Sequence, residues 1–457
     1  RHYHAGRVGA KALRFATLAA DTACGVYAYW EAEELLRIAL EHAPGPGERA
    51  RLEERLGDVY DSVGAYSDAF ERYERALEAP DALLGAGASI RLRRKMVIAQ
   101  RKGGLESAPV LLDRTRSLIG QASDWPDERC RLLVELTRYP DAGAVLDAAT
   151  EAVTCAEGLD DPLLAAHALE QLAVSLMFAR RTREAFPPLE RALEIAHDIG
   201  DPVRSVRYHA IAGVAHARLG RYGDALREFE AMLQLAEKVG DPNFLGVALN
   251  NQGAVLLRLG EFDAAEQALQ RARGIHERRD RASLLQSLFN LAERARLAGD
   301  LALAVQRFAA MRERASEFDY WTSEAVAEAG IGLCTLEQGD VVAARAAAER
   351  ALAAADRDGW FEDRDALELL LARLEALDDP AVAVERLLRA GRELESRDIF
   401  LWARIELERA RLLAGFDRAA AAALVAGVRA ATGDVQSPPL AGELQRVHAL
   451  TTESASD

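Results

Sequence analysis

The chain has 457 residues, half of them apolar but only 6% aromatic, and Ala, Leu, Glu and Arg dominate, which is a helix-former's composition. Its 57 basic and 73 acidic residues leave a formal charge of −16, which argues against general nucleic-acid binding, where affinity comes from clustered Lys and Arg releasing counterions. The 14 prolines and 33 glycines are too few for collagen or long disordered tracts. No run of 18 apolar residues offers a membrane span. Cys24, Cys130, Cys155 and Cys334 stand far apart with no Cys/His metal spacing, so no metal and a reduced, cytoplasmic compartment are expected. The chain opens on Arg1 and carries no signal peptide, so a piece cut from a longer protein is expected.

Hairpin marks recur along the chain. Ala32 marks a first two-helix unit at 13–43, Gly64 with Ala69 a second at 50–79, and Gly103 with Ala108 a third at 89–118. A turn at Tyr139-Pro140 with Ala144 marks a fourth at 125–158, and Arg180-Arg181 with Ala185 a fifth at 163–199. From there the period is explicit. Asp161-Pro162, Asp201-Pro202 and Asp241-Pro242 recur every 40 residues, and Gly220, Gly260, Gly299 and Gly339 at steps of 40, 39 and 40. Ala225, Ala265, Ala304 and Ala344 each follow their glycine by five. These marks predict units at 203–239, 243–277, 282–318 and 323–357. Asp378-Asp379-Pro380 with Ala383 marks 361–397, and Gly415 with Ala420 marks 400–432. Pro438-Pro439 leads into a capping helix within 433–450, and 451–457 reads as a flexible tail.

The marks have a physical grammar. Asp supplies an N-cap oxygen and Pro suits the first helical turn. The Gly ends that helix in a left-handed conformation, and the Ala lets the next helix cross closely. The expectation is one continuous all-α solenoid over 1–450, built of about eleven hairpins, each burying its apolar faces on its neighbours.

The pattern resembles the tetratricopeptide repeat. Leu56-Gly57, Tyr60, Ala69, Tyr73 and Ala76 fit its signature, as do Gly213, Ala225 and Phe229, then Gly253, Leu256, Ala265, Leu269 and Ala272, then Leu291-Ala292, Ala304 and Phe308. The lengthened unit is similar to that of kinesin light chains and of the sensor arm of bacterial regulatory ATPases. The opening His2-Tyr3-His4-Ala5-Gly6, with Lys11-Ala12-Leu13, Tyr27-Ala28 and Glu31-Ala32, resembles the point in those regulators where repeats begin after the ATPase core. The resemblance implies a right-handed superhelix with the first helix of each hairpin, helix A, lining the concave side. No GxxxxGK[ST] loop occurs, so the chain would be the sensor and not the motor.

No catalytic signature or cofactor loop is present, and no catalytic residue, cofactor or metal ligand is assigned. His209 and His216 share a predicted helix, where packing or solvation is the expected role. The basic run Arg91, Arg93, Arg94, Lys95, Arg101 and Lys102 follows acidic Glu53, Glu54, Asp58 and Asp61 of the preceding unit, with Glu54 and Arg93 at equivalent positions, so inter-repeat ion pairing is expected, the alternative being an anion or acidic-peptide contact on the basic helix.

Projecting the register along successive A helices puts Arg207, Arg218, Asn250, Asn251, Arg258, Gln286, Asn290, Glu293 and Arg296 on the concave wall. Leu249-Asn250-Asn251 resembles a kinesin light-chain motif, in which such asparagines hydrogen-bond a peptide backbone. A carboxamide offers both donor and acceptor, as a peptide unit does. The expected function is a non-catalytic scaffold or sensor arm that holds a protein or peptide segment, or part of its own parent chain, in the groove, with no nucleic-acid or membrane partner and the oligomeric state open. The alternative is a small-molecule-sensing superhelix controlling an N-terminal ATPase or effector domain, with Tyr208, Phe244, Phe289, Tyr320, Trp321, Trp360, Phe361 and Trp402 as cavity-wall candidates.

Overall fold

The computed structural model describes residues 9–26, 28–139, 142–357, 365–395 and 397–452. Among them are 24 α-helices and no strand. His2, Tyr3, His4, Ala5, Gly6, Tyr27, Pro140, Trp360, Phe361 and the last five residues of the tail lie outside the described residues, as does the side chain of Ala144. The chain divides into two compact units, Arg1–Ser175 and Leu176–Asp457, and within each the helices pack as sequential hairpins, an all-α solenoid.

The first unit holds α1 (Gly9–Gly25), α2 (Tyr29–Glu41), α3 (Pro46–Ser62), α4 (Tyr66–Leu77), the single-turn α5 (Asp81–Leu84), α6 (Ala86–Gly103), α7 (Ala108–Gln121), α8 (Pro126–Leu136) and α9 (Ala142–Glu157), and it ends within α10 (Pro162–Phe178). Small residues set its close crossings. A Cβ on Gly57 of α3 would stand 2.5 Å from the Tyr73 ring of α4, so the ring occupies the space a side chain would need. The α6–α7 turn differs from the expectation by one residue. Gly103 ends the helix, where a Cβ would press on Tyr66, and it is Gly104 that takes the left-handed conformation, at φ 62°.

Ion pairs tie these hairpins together. Arg91 grips Glu54 through both arms, Nε to Oε1 at 2.8 Å and Nη2 to Oε2 at 3.0 Å. Lys95 bonds Glu54 and Asp58, Lys102 bonds Asp61, and Arg94 and Arg101 reach forward to Glu128 and Glu135. Burial opposes the charge on Glu54, yet Arg91 and Lys95 outweigh it and hold the carboxyl at about 2. The expected pairing is present, but Arg91 takes Glu54 in place of Arg93, which bonds Ser89 on its own helix. Two positions along a helix are about 200° apart, so Arg91 and Arg93 face opposite ways.

The second unit runs α11 (Phe186–Asp198), α12 (Pro202–Arg218), α13 (Tyr222–Val239), α14 (Pro242–Leu259), α15 (Phe262–His276), α16 (Arg281–Leu297), α17 (Leu301–Glu317), α18 (Trp321–Glu337), α19 (Val341–Ala355), α20 (Asp365–Glu375), α21 (Pro380–Leu394), α22 (Ile399–Leu413), α23 (Arg418–Ala431) and α24 (Pro438–Thr452). The aspartates before the helices act as read. Asp201 accepts from the Arg204 N–H at 3.0 Å, Asp241 from Asn243 at 2.8 Å and Asp340 from Ala343 at 2.9 Å. Gly220, Gly260, Gly299 and Gly339 all carry positive φ. Gly415 does not, and at the fifth predicted turn Arg180 itself takes φ 63°. Phe229 and Leu269 lie against Gly213 and Gly253 of their own hairpins, and Phe308 against Gly330 of the next.

This unit also returns on itself. Gly220, at the end of the α12–α13 hairpin turn, lies against Val435 and Ile399. The Ser437 hydroxyl donates to the Arg258 carbonyl at 2.6 Å, and Arg180 donates to the Arg392 carbonyl at 3.1 Å. The C-terminal hairpin thereby packs on the ends of α12 and α14.

Candidate functional site

The A helices of the second unit converge on one cavity of about 800 Å³. Val214 and Arg218 come from α12, and Asn251, Ala254, Leu257 and Arg258 from α14. From α16 come Leu285, Gln286, Phe289, Asn290, Glu293 and Arg296, a spacing of three and four that puts them on one helical face. Val326 of α18 and Leu369 of α20 add apolar wall. Opposite stand Arg397 and Asp398, then Phe400, Leu401, Arg404 and Ile405 of α22.

The charges on this wall are mostly paired with one another. Arg258 donates to Asp398 at 2.8 Å, and its guanidinium carbon lies 4.9 Å from the Phe400 ring. Asp398 also accepts from the N–H groups of Phe400 and Leu401, so one carboxylate caps α22 and anchors Arg258. Burial works against the charged form of both partners. Their mutual attraction outweighs it, holding Asp398 below and Arg258 above their ordinary values. Arg296 grips Glu293 through two bonds of 2.8 Å, and Glu293 too is held below the ordinary carboxylate range against the effect of burial.

A buried polar network lies beside the cavity, with His276 Nε2 left without a partner among the described residues. The Asn290 amide donates to the Asn250 carbonyl oxygen at 3.1 Å, Ser287 donates to the same oxygen at 3.2 Å, and Ser287 lies 3.0 Å from His276 Nδ1. Asn251 and Gln286 face the cavity and form no hydrogen bond among the described residues.

Residues 206–278 match the family model described as tetratricopeptide repeat. This stretch is built of tetratricopeptide repeats. No curated protein matches the chain. Among solved structures, a Signal Transduction ATPase with Numerous Domains protein with a tetratricopeptide repeat sensor, from Pyrococcus horikoshii, is similar at TM-score 0.51 and 16% identity. The match covers 72% of this chain and 50% of that one, so the chain spans about half the length of that protein. The apo form of RapI is 17% identical at TM-score 0.47, over 62% of this chain and 98% of that one. A Rap protein complexed with Competence and Sporulation Factor is 14% identical at TM-score 0.44, over 72% and 98%. At 16% identity the likeness to the Pyrococcus horikoshii protein is one of fold.

Seven of the nine residues projected onto the concave wall line the cavity: Arg218, Asn251, Arg258, Gln286, Asn290, Glu293 and Arg296. Arg207 lies on α12 outside that lining, and Asn250 is buried beneath it. Of the aromatic wall candidates in the described residues only Phe289 lines it, while Tyr208 is fully buried in the core. His209 and His216 contact neighbouring side chains of the array. His209 lies 2.7 Å from Glu228, and His216 stacks near Phe186 with ring centroids 4.4 Å apart. The residues that sequence reasoning missed are Asp398, Phe400 and Arg404. The only local signal was the Asp before an apolar helix start, because the repeat register carries no information about which distant hairpin returns to the wall. Among the described residues no helix is long and apolar enough to cross a membrane, and no group of three or more His, Cys, Asp or Glu is placed to hold a metal ion.

Proposed function

We propose that the chain is a non-catalytic tetratricopeptide-repeat scaffold, the cytoplasmic sensor arm of a larger bacterial signalling protein, and that it holds a partner segment against the A-helix wall of its second unit. The observation that carries this reading is the pair of uncommitted carboxamides. Asn251 and Gln286 stand on adjacent A helices, face the cavity and make no side-chain hydrogen bond among the described residues. Each presents a donor and an acceptor, the complement of a peptide unit. The test is a peptide-display selection on the 457-residue chain. The selected peptide is then titrated against the Asn251→Ala/Gln286→Ala variant. Binding is expected to weaken at least tenfold, about 1.4 kcal/mol, with the melting temperature unchanged. Undiminished affinity, or a selection that enriches nothing, overturns the reading.

A second reading, control by a small molecule, is favoured by the cavity itself. Its volume of about 800 Å³ falls within the range of small-ligand sites. It is walled on two sides by the chain's own helices.

A further inference from the structure

We propose that the cavity of the second unit is a receptor site for a small organic anion, an apolar body ending in one carboxylate or phosphate, with Arg404 as its counter-charge. The proposal rests on the small-molecule reading of the cavity.

The cavity inverts the charge of the molecule around it. The chain as a whole carries −16, yet the lining holds five arginines (Arg218, Arg258, Arg296, Arg397, Arg404) against three acids (Glu293, Asp365, Asp398). Arg258 is matched by Asp398 and Arg296 by Glu293, and Arg218, Arg397 and Asp365 also have partners. Arg404 alone among these arginines has no hydrogen bond or ion pair with any described residue. Its one contact of note is the Phe400 ring, 5.9 Å from its guanidinium carbon.

Its setting makes that isolation costly. Burial weakens the charged form of Arg404, and the neighbouring cations Arg296 and Arg373 weaken it further, with Glu443 and Glu293 offsetting part of the effect. Arg373 brings no spare acid, since it is engaged with Glu337 at 2.9 Å and Glu408 at 3.1 Å. A guanidinium cannot shed its proton at neutral pH, so a charge with no ion-pair partner among the described residues persists inside the wall. An incoming anion relieves both the desolvation and the repulsion, and it meets a planar fork suited to two parallel hydrogen bonds.

The rest of the wall defines the ligand's other end. Leu285, Phe289, Val326, Leu369 and Leu401 present apolar surface to the same space. A fully polar anion such as free phosphate leaves that surface wet. An amphipathic one covers it while its head reaches Arg404. Arg404, Arg296 and Phe400 also border a neighbouring space of about 670 Å³, lined further by Arg373 and Arg446 and by Glu261, Glu337 and Glu443, so that side is mixed in charge and the anion's approach is from the first cavity.

The test uses octanoate, octyl phosphate and octanol, three probes with one apolar body and different heads, titrated by calorimetry into the 457-residue chain. At least one of the two anions is expected to bind at least tenfold more tightly than octanol, and comparing the two identifies the head group. Arg404→Gln is expected to weaken anion binding roughly 10- to 100-fold, to the level of octanol, as loss of a charge-assisted pair requires. Its melting temperature is expected to hold or rise, because a repelled cation is removed. Should that variant fail to fold, Arg404→Lys keeps the charge but loses the fork, and anion affinity is expected to fall several-fold with octanol unaffected. Octanol binding as tightly as both anions, or anion affinity unchanged in either variant, overturns the proposal while leaving a small-molecule cavity in place. Absence of binding by all three probes overturns the small-molecule reading with it.

Discussion

In the first unit the ion pairs join consecutive hairpins: Arg91 meets Glu54 across 37 residues and Lys102 meets Asp61 across 41. In the second, Arg258 meets Asp398 across 140 residues, and Ser437 reaches back 179 residues to the Arg258 carbonyl. Both units use the same hairpin and the same knob-on-glycine packing, as Tyr73 on Gly57 and Phe229 on Gly213 show. The difference lies in what is added to that packing. Neighbour-to-neighbour bonds make a linear array whose stability is a sum of adjacent interfaces. A bond spanning 140 residues makes several hairpins depend on one closure, and it stands on the wall of the cavity.

The largest expected effect tests what the units share. Phe229→Ala and Tyr73→Ala each empty a knob position that is almost fully buried, and each is expected to cost about 3–5 kcal/mol in urea unfolding. A much smaller loss for either would show that the glycine pockets are not equivalent. The next effect separates the units. Arg258→Met leaves Asp398 without its cation in a partly shielded site and is expected to cost about 2–3 kcal/mol, below the full value for a deeply buried pair. Arg91→Ala removes a more exposed partner and is expected to cost about 0–1 kcal/mol. Equal costs would dissolve the contrast between neighbour bonding and closure.

The smallest effect is a pH dependence. Burial holds His216 and His276 below the ordinary imidazole value of 6.5. The unfolded chain therefore takes up more protons as pH falls, so this stability is complete above about 6.5 and declines below it. Glu54 is held at about 2 against an ordinary 4.5, so its contribution is complete above 4.5 and is lost only as pH falls towards 2. Acidification from about pH 7 to 5.5 is expected to speed hydrogen exchange in α12 and α15 while α3 is unchanged, and His276→Gln is expected to remove the change in α15. Faster exchange in α3 over that range would mean that other groups govern the acid response.

Much of the fold was legible because its punctuation is local. An aspartate that caps a helix at 201 or 241 and a glycine that turns the chain at 220 or 260 act within four residues of themselves, so their spacing can be read directly. The misplacement at Gly103 arose because two adjacent glycines serve different needs, close packing on Tyr66 and a left-handed turn, and the letters are identical. The candidate site was legible on one side. Helical periodicity projects α14 and α16 onto a common wall, but it does not tell whether Asn250 faces the space or the helix beneath. The other side, Asp398, Phe400 and Arg404, was invisible, since small rotations accumulated over several hairpins decide which helix arrives opposite Arg258.

The bond between Arg258 and Asp398 also sets an order of events during synthesis. At typical elongation rates of about 5–20 residues per second, the carboxylate emerges roughly 7–28 s after the guanidinium it will neutralise. For that interval the inner wall of α14 and α16 stands open on the ribosome with its arginine unanswered. A nascent chain stalled before residue 398 is therefore the form on which chaperones, or an early-arriving ligand, would find that wall uncovered.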